Sequence, residues 1–447
     1  MNDGNPPSNN LQFIVQGGGT LVGEIKVPGD KSISHRSIML GSLADGDVEV
    51  TGFLEGDDAL ATLDAFRAMG VDIEGPTNGR VIIHGVGMQG LKGANRELDL
   101  GNSGTSMRLL TGLLSGQNFD SILTGDSSLS SRPMRRVINP SISLGAKINS
   151  CEDGTAPLNI VGNQPLKGIS YAMPVASAQV KSCVLLAGLY AQGRTCVTEP
   201  APTRDHTERM LQGLGYEVNV EGATVCIEGG GKLKAVDIEV PADISSAAFF
   251  LVGASIAKGS ELTLRQTGVN PTRTGVIDIL KLMGADIEVL SETLVCGEPV
   301  ADIKVRAASL KGIEIPGALV PLAIDEFPAI FIAAACAEGT TILSGAEELR
   351  VKESDRIQVM ADGLEILGIK VVVKSDGIII EGGQLTGGEV NSHGDHRIAM
   401  SFAMAGLMST SVIRVNDCLN VNTSFPGFVA MAKDCGLFIS TSSDHSS

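Results

Sequence analysis

One phrase recurs six times along the 447-residue chain: an amphipathic helical stretch, an apolar residue followed by glycine, then a β-like alternation. It reads AFRAMGVDIE, SISLGAKINS, MLQGLGYEVNV, ILKLMGADIEV, GLEILGIKVVV and MAKDCGLFIS. The glycines are Gly70, Gly145, Gly215, Gly284, Gly368 and Gly436, spaced by 75, 70, 69, 84 and 68 residues. Self-similarity at a near-constant period means one supersecondary unit copied along the chain, so the fold must satisfy the same packing problem six times. An earlier helix in each unit opens on a polar cluster and turns strongly apolar, in DKSISHRSIMLGSLA, GNSGTSMRLLTGLL, VASAQVKSCVLLAGL, DISSAAFFLVGASIA, IDEFPAIFIAAACA and GDHRIAMSFAMAGL. Ser, Asp and Gly at such openings are N-cap residues. With GDVEVTGF, RTCVTE, SELTLRQ and TTILSG as strands, the unit is βαβαββ in type and the class is α/β.

Composition narrows the function. A chain with 43% hydrophobic and 19% charged residues can bury a large core and is expected to form more than one domain. The net charge of −17 excludes an extended phosphate-backbone surface, so any anionic ligand must meet a local basic cluster. Lys31, Arg36, Arg108, Gln179, Asp325 and Arg397 all lie at or near the six helix openings, where helix N-termini already favour anions. No apolar run reaches membrane-spanning length. The initial MNDGNPPSNN reads as a disordered arm rather than a signal peptide, and STSSDHSS as a tail. The eight cysteines show no C-x-x-C pair or metal-ligand spacing, and buried reduced thiols in a cytoplasmic protein are expected.

The segment PGDKSISHR, residues 28–36, looks at first like a phosphate loop. A nucleotide P-loop needs lysine directly after its second glycine, and here Asp30 intervenes, so the spacing fails. In order along the chain, PGDKSISHR, GNSGTSMRLL, SSRPMRRV, ASAQVKS, RDHTERM, NPTRTG, IDEFP, RVKESDR and GDHRIAM together resemble the EPSP synthase family, the 3-phosphoshikimate 1-carboxyvinyltransferases. The resemblance covers nearly the whole chain. It implies a two-domain inverse α/β barrel of six βαβαββ-type repeats, three per domain. Residues 1–28 and 243–447 would form one domain and 29–242 the other, joined by two hinge crossings, with substrates in the cleft.

The family's reaction transfers the enolpyruvyl group of phosphoenolpyruvate to the 5-hydroxyl of shikimate 3-phosphate and needs neither metal nor organic cofactor. Carried over motif by motif, the resemblance implies that Lys31, Ser32, Arg36, Ser177, Ala178, Gln179, Arg204, Asp325 and Lys352 meet shikimate 3-phosphate. Lys31, Gly104, Arg132, Gln179, Arg356 and Arg397 would meet phosphoenolpyruvate or its analogue glyphosate, and the arginine forks suit carboxylate and phosphate oxygens. Asp325 is the candidate base for the 5-hydroxyl, and Glu353 the candidate proton donor to carbon 3, with Lys31 and Lys352 supporting charge. Two small molecules, no nucleic acid, no membrane and a monomer are expected. His35 and His396, beside helix starts, read mainly as hydrogen-bonding neighbours.

Two positions depart from the family pattern. Thr423, in NTSFP, stands where some relatives place a clamp lysine, and Leu109 where many carry proline. A sister family acting on UDP-N-acetylglucosamine is the nearest alternative. It has Lys-Asn where this chain has Lys31-Ser32 and a reactive cysteine where this chain has Ser127. A non-catalytic six-repeat scaffold is the other alternative, and it would not need the mixture of Asp325, Glu353, Lys31 and three arginines.

Overall fold

The computed structural model describes residues 11–443; the N-terminal arm and the last residues of the tail lie outside the described residues. The chain divides into two compact units. Unit 1 comprises residues 1–28, 242–293 and 299–447, and unit 2 residues 29–241 and 294–298. The short piece 294–298 is the tip of a hairpin whose strands, Asp286–Val295 and Glu298–Arg306, carry on into unit 1.

Unit 2 contains helices α1 (Lys31–Ser42), α2 (Asp57–Ala68), α3 (Gly104–Ser115), the short α4 (Ser127–Ser130), α5 (Arg135–Leu144), α6 (Ala178–Gly188) and α7 (His206–Gly213). Unit 1 contains α8 (Ile244–Ile256), α9 (Gly275–Leu282), α10 (Phe327–Cys336), α11 (Arg356–Ile366), α12 (His396–Ala405) and α13 (Phe428–Cys435). Among the described residues six sheets accompany them, three in each unit. Five share one plan: an edge strand runs parallel to its neighbour, and two further strands follow antiparallel. In the sixth, Thr340–Leu343 has only an isolated parallel bridge, Glu314 to Ile342, at that edge.

Closure of each unit uses strands distant in sequence. Leu233–Lys234 and Ile238–Glu239 run parallel to Ala44–Thr51 in unit 2, while Val22–Ile25 runs parallel to Glu261–Gly268 in unit 1. The strand Leu11–Gly19 lies between Ile413–Asn416 and Leu437–Ser443 and so completes the last repeat. The six-fold pattern in the sequence is therefore a pattern of sheets closed by long-range pairing.

The first helix of each repeat is apolar nearly all round and goes to the centre of its unit. All thirteen residues of α8 are buried, and α1, α3, α6, α10 and α12 are buried apart from a few positions, mostly near their N-termini. The second helix keeps a wet face. Each ends at one of the six recurring glycines, and all six have positive φ, from 79° at Gly215 to 116° at Gly436. A left-handed residue here stops the helix and turns the chain into the next strand, and glycine adopts that conformation without a Cβ clash.

Two sequence expectations about cysteine are corrected. Cys196 and Cys226 form a disulfide because they sit directly opposite each other in the antiparallel pair Arg194–Thr198 and Thr224–Glu228. Cys151 and Cys296 are free but exposed, since both lie in turns. Cys183, Cys418 and Cys435 are buried thiols, with Cys336 partly so, and burial raises Cys183, Cys336 and Cys418 to about 12 and Cys435 to about 11. Among the described residues no helix is long and apolar enough to cross a membrane.

The crossing of α3 and α6 in unit 2 leaves no room for a side chain at Gly112. A Cβ on Gly112 would lie 2.0 Å from the Cys183 carbonyl oxygen, backbone against backbone. Gly112→Ala is expected to cost about 1–3 kcal/mol or more. Gly213→Ala, where the nearest atom is 3.5 Å away, should be neutral or slightly stabilising. Urea midpoints check the pair; equal midpoints would refute the close crossing.

Candidate active site

Helix openings position the candidate residues in unit 2. Asp30 caps α1 by accepting the Ile33 amide at 2.9 Å, Ser103 caps α3 and Ser177 caps α6. These caps leave Lys31, Ser32, Gly104, Ala178 and Gln179 in first turns, where unpaired backbone amides and the helix dipole favour an anion. Lys31 donates through Nζ to Asp58 Oδ2 at 2.6 Å. Arg36 is buried and held on three sides: Nε donates to Thr207 Oγ1 at 2.7 Å, Nη1 to the Ser32 carbonyl at 2.9 Å and Nη2 to Ser182 Oγ at 2.8 Å. Burial pulls its pKa down to about 10, which leaves it charged at neutral pH.

Gly104 lies between two guanidinium groups. A Cβ there would stand 3.2 Å from Arg108 Nη1 and 3.2 Å from Arg132 Nη1. Arg108 donates to Gln179 Oε1 at 2.6 Å, Gln179 donates to Thr105 Oγ1 at 3.1 Å, and Arg132 donates to Asn102 Oδ1 at 2.6 Å. Arg204, half-buried, sits in the loop before α7. In unit 2 Arg108, a helix-opening residue to which the sequence assigns no ligand, bonds Gln179 on one side of Gly104, and Arg132 stands on the other.

Unit 1 holds the remaining candidates around a single buried side chain. Arg356, at the start of α11 and 1% exposed, donates through Nε to Asp395 Oδ2 at 2.8 Å, through Nη2 to Glu353 Oε2 at 2.7 Å and through Nη1 to Asp325 Oδ1 at 3.3 Å. Burial alone would lower its pKa, but Asp395, Glu353 and Asp325 hold it well above its ordinary value. Lys352 Nζ lies 3.4 Å from Asp325 Oδ1 and 2.8 Å from Glu348 Oε1. Asp395 also caps α12 by accepting the Arg397 amide at 2.9 Å, and the Arg397 guanidinium lies 3.7 Å from Glu326.

At the IDEFP opening Asp325 can be a helix cap as well as the candidate base. The cap position of α10 belongs to Glu326, which makes no side-chain cap bond, and the Asp325 carboxylate is engaged by Arg356 and Lys352. Thr423 is buried and its hydroxyl donates to the Asn420 carbonyl at 2.7 Å, closing a 3₁₀ turn, so it supplies no clamp charge. Leu109 is fully buried in the unit 2 core.

Two further buried groups lie outside the candidate set, Arg273 legible only as a motif letter and His35 as a hydrogen-bonding neighbour. Arg273, from NPTRTG, donates to Ser245 Oγ at 2.6 Å and to Asp243 at 3.2 Å, binding the start of α8. His35 is fully buried with Nδ1 2.7 Å from Thr62 Oγ1 and 3.3 Å from Ser106 Oγ, tying α1 to α2 and α3.

The six-repeat fold is one that enolpyruvyl transferases share. The enolpyruvyl transferase NikO from Streptomyces tendae shares the fold at 18% identity, with a TM-score of 0.80 over 97% of this chain and 99% of that one. The family model for EPSP synthase (3-phosphoshikimate 1-carboxyvinyltransferase) matches residues 15–431. A 3-phosphoshikimate 1-carboxyvinyltransferase of Alkalilimnicola ehrlichii is 67% identical over 428 residues, 96% of each chain, and one of Methylococcus capsulatus is 65% identical over 430 residues, 96% of this chain and 98% of that one. An EPSP synthase structure from Acinetobacter baumannii aligns with a TM-score of 0.88 at 60% identity, over 97% of this chain and all of that one. The chain belongs to the EPSP synthase family.

The His35 environment yields a pH prediction. Burial, then the charges of Lys31 and Arg36, push its imidazole well below the ordinary 6.5. The unfolded chain therefore binds a proton near pH 6.5 that the folded protein refuses, so stability is fully present above that value and falls as pH drops below it. His35→Asn should flatten that fall by up to about 1.4 kcal/mol per pH unit. Urea unfolding at about pH 7.5 and about pH 5.5 checks it; parallel losses in both proteins would contradict the buried neutral imidazole.

Proposed function

We infer that this protein transfers the enolpyruvyl group of phosphoenolpyruvate to the 5-hydroxyl of shikimate 3-phosphate, giving 5-enolpyruvylshikimate 3-phosphate and inorganic phosphate, as its family does. The observation that carries the residue assignments is the meeting of Asp325 and Glu353 on the Arg356 fork. An addition–elimination needs a base at the attacking oxygen, an acid at carbon 3 and fixed cations for the anionic substrates, and this arrangement supplies all three.

In the proposed mechanism Lys31, Ser32, Arg36, Ser177, Ala178, Gln179 and Arg204 hold shikimate 3-phosphate, with Asp325 and Lys352 at its 5-hydroxyl. Lys31, Arg132, Gln179, Arg356 and Arg397 hold phosphoenolpyruvate beside Gly104, a position where any side chain would press on Arg108 and Arg132. Asp325 takes the hydroxyl proton as the oxygen bonds to carbon 2, and Glu353 delivers a proton to carbon 3. The tetrahedral adduct then expels phosphate, and loss of a carbon-3 proton restores the double bond. On this reading residues 29–242 supply mostly cations and 243–447 the acid and base, acting on one pair of substrates. The enzyme would work in the cytoplasm as a monomer.

UDP-N-acetylglucosamine as acceptor is disfavoured by Ser127, which stands where the sister family has its reactive cysteine. Phosphate release with phosphoenolpyruvate and each acceptor in turn tests the assignment. Turnover is expected with shikimate 3-phosphate and none with UDP-N-acetylglucosamine; the reverse, or turnover with neither, would overturn it.

A further inference from the structure

Beneath the half-site in unit 2 lies a charged group that the mechanism does not use. Lys181, on α6 one turn beyond Ser177, is only 1% exposed. Its Nζ lies 2.7 Å from Glu208 Oε1 and 3.1 Å from Glu199 Oε2, and donates to the Thr203 carbonyl at 3.4 Å. Thr203 Oγ1 donates to the same Glu199 carboxylate at 2.6 Å. These partners bracket the loop 199–205, which carries Arg204.

We propose that Lys181 is a positioning residue for Arg204: one buried ammonium staples both ends of the 199–205 loop and the first turn of α7 to α6, and so fixes where the Arg204 guanidinium meets the phosphate of shikimate 3-phosphate. The inference rests on the assignment of Arg204 to that substrate.

Three physical points support it. Replacing a buried ion pair by apolar groups is often neutral or stabilising, so a lysine kept here is weakly explained by stability alone. Its contacts run to three separate places in the chain, which suits a compact ammonium with three donors and not a planar fork. The first turn of α7 is shared with the other phosphate-directed arginine: Thr207 accepts from Arg36 Nε, and the next residue, Glu208, pairs with Lys181. The α6 helix serves both in the same way, since Ser182 accepts from Arg36 Nη2. Two arginines thus take their positions from one buried polar layer between α6 and α7.

The experiment compares steady-state kinetics of Arg204→Ala, Lys181→Met with Glu208→Gln, and the three changes combined. Glu208→Gln accompanies the lysine change because Glu208 is the more deeply buried of the two carboxylates that would lose their cation, while Glu199 keeps its bond from Thr203 Oγ1. The Lys181→Met/Glu208→Gln protein should show a KM for shikimate 3-phosphate raised about 10- to 100-fold, with kcat and the KM for phosphoenolpyruvate within about threefold of wild type. Added to Arg204→Ala it should have little further effect, because a residue acting through another is not additive with it. An unchanged KM, equal rises for both substrates, or full additivity would overturn the proposal. Should the Lys181 variant not fold, Glu199→Gln cuts the loop side of the staple and is read in the same way. If Arg204→Ala alone leaves the KM for shikimate 3-phosphate unchanged, the assignment of Arg204 itself fails, which is a distinct result.

Discussion

The guanidinium of Arg356 is the contact around which the candidate site in unit 1 is assembled. It leaves water almost completely, and three carboxylates from different segments repay that desolvation: Asp395 at the cap of α12, Glu353 in the preceding turn and Asp325 before α10. Removing any one would leave the others sharing a buried cation. The arrangement also explains why the candidate base and acid are close yet distinct. Each touches a different nitrogen of one planar group, so the fork sets their spacing.

Around that hub the repeats place helix starts in a consistent way. Asp395 both caps α12 and binds Arg356, so the cap that begins one repeat's helix is fastened to the helix of the repeat before it. At α8, Asp243 also combines a cap with an arginine, accepting the Ser245 amide and a bond from Arg273, which lies just before the second helix of the same repeat. In unit 2 the capping residues are Asp30, Ser103 and Ser177, and candidate site residues follow within one or two turns. An acidic chain can therefore present local positive charge, because Asp30, Asp243 and Asp395 are engaged as helix caps while arginines and lysines stand near the helix starts.

Much of this was legible in the sequence for stated physical reasons. The recurring glycines marked helix ends because the left-handed turn there excludes most other residues. Polar openings before apolar runs marked the central helices, and five of the six first helices carry a side-chain cap. The P-loop reading failed on one residue of spacing, and α1 indeed begins at Lys31 with Asp30 as its cap.

What stayed hidden involved partners distant in the chain. Cys196 and Cys226 are 30 residues apart and meet only through strand register. Lys181, inside ASAQVKS, looks like an ordinary helix lysine until burial and Glu208 are seen. The grouping of residues 294–298 with unit 2 has no signal in a periodicity that counts repeats. Arg356 itself read as one of three equivalent arginines, whereas its burial sets it apart from Arg132 and Arg397.

The most direct test of this account is the steady-state kinetics of Arg356→Lys, which keeps the charge and removes the fork. If the planar fork organises acid and base, kcat/KM for phosphoenolpyruvate should fall by about 10²–10³ while the protein remains folded by circular dichroism. A folded lysine variant that keeps more than about half of wild-type turnover would contradict the central role of Arg356.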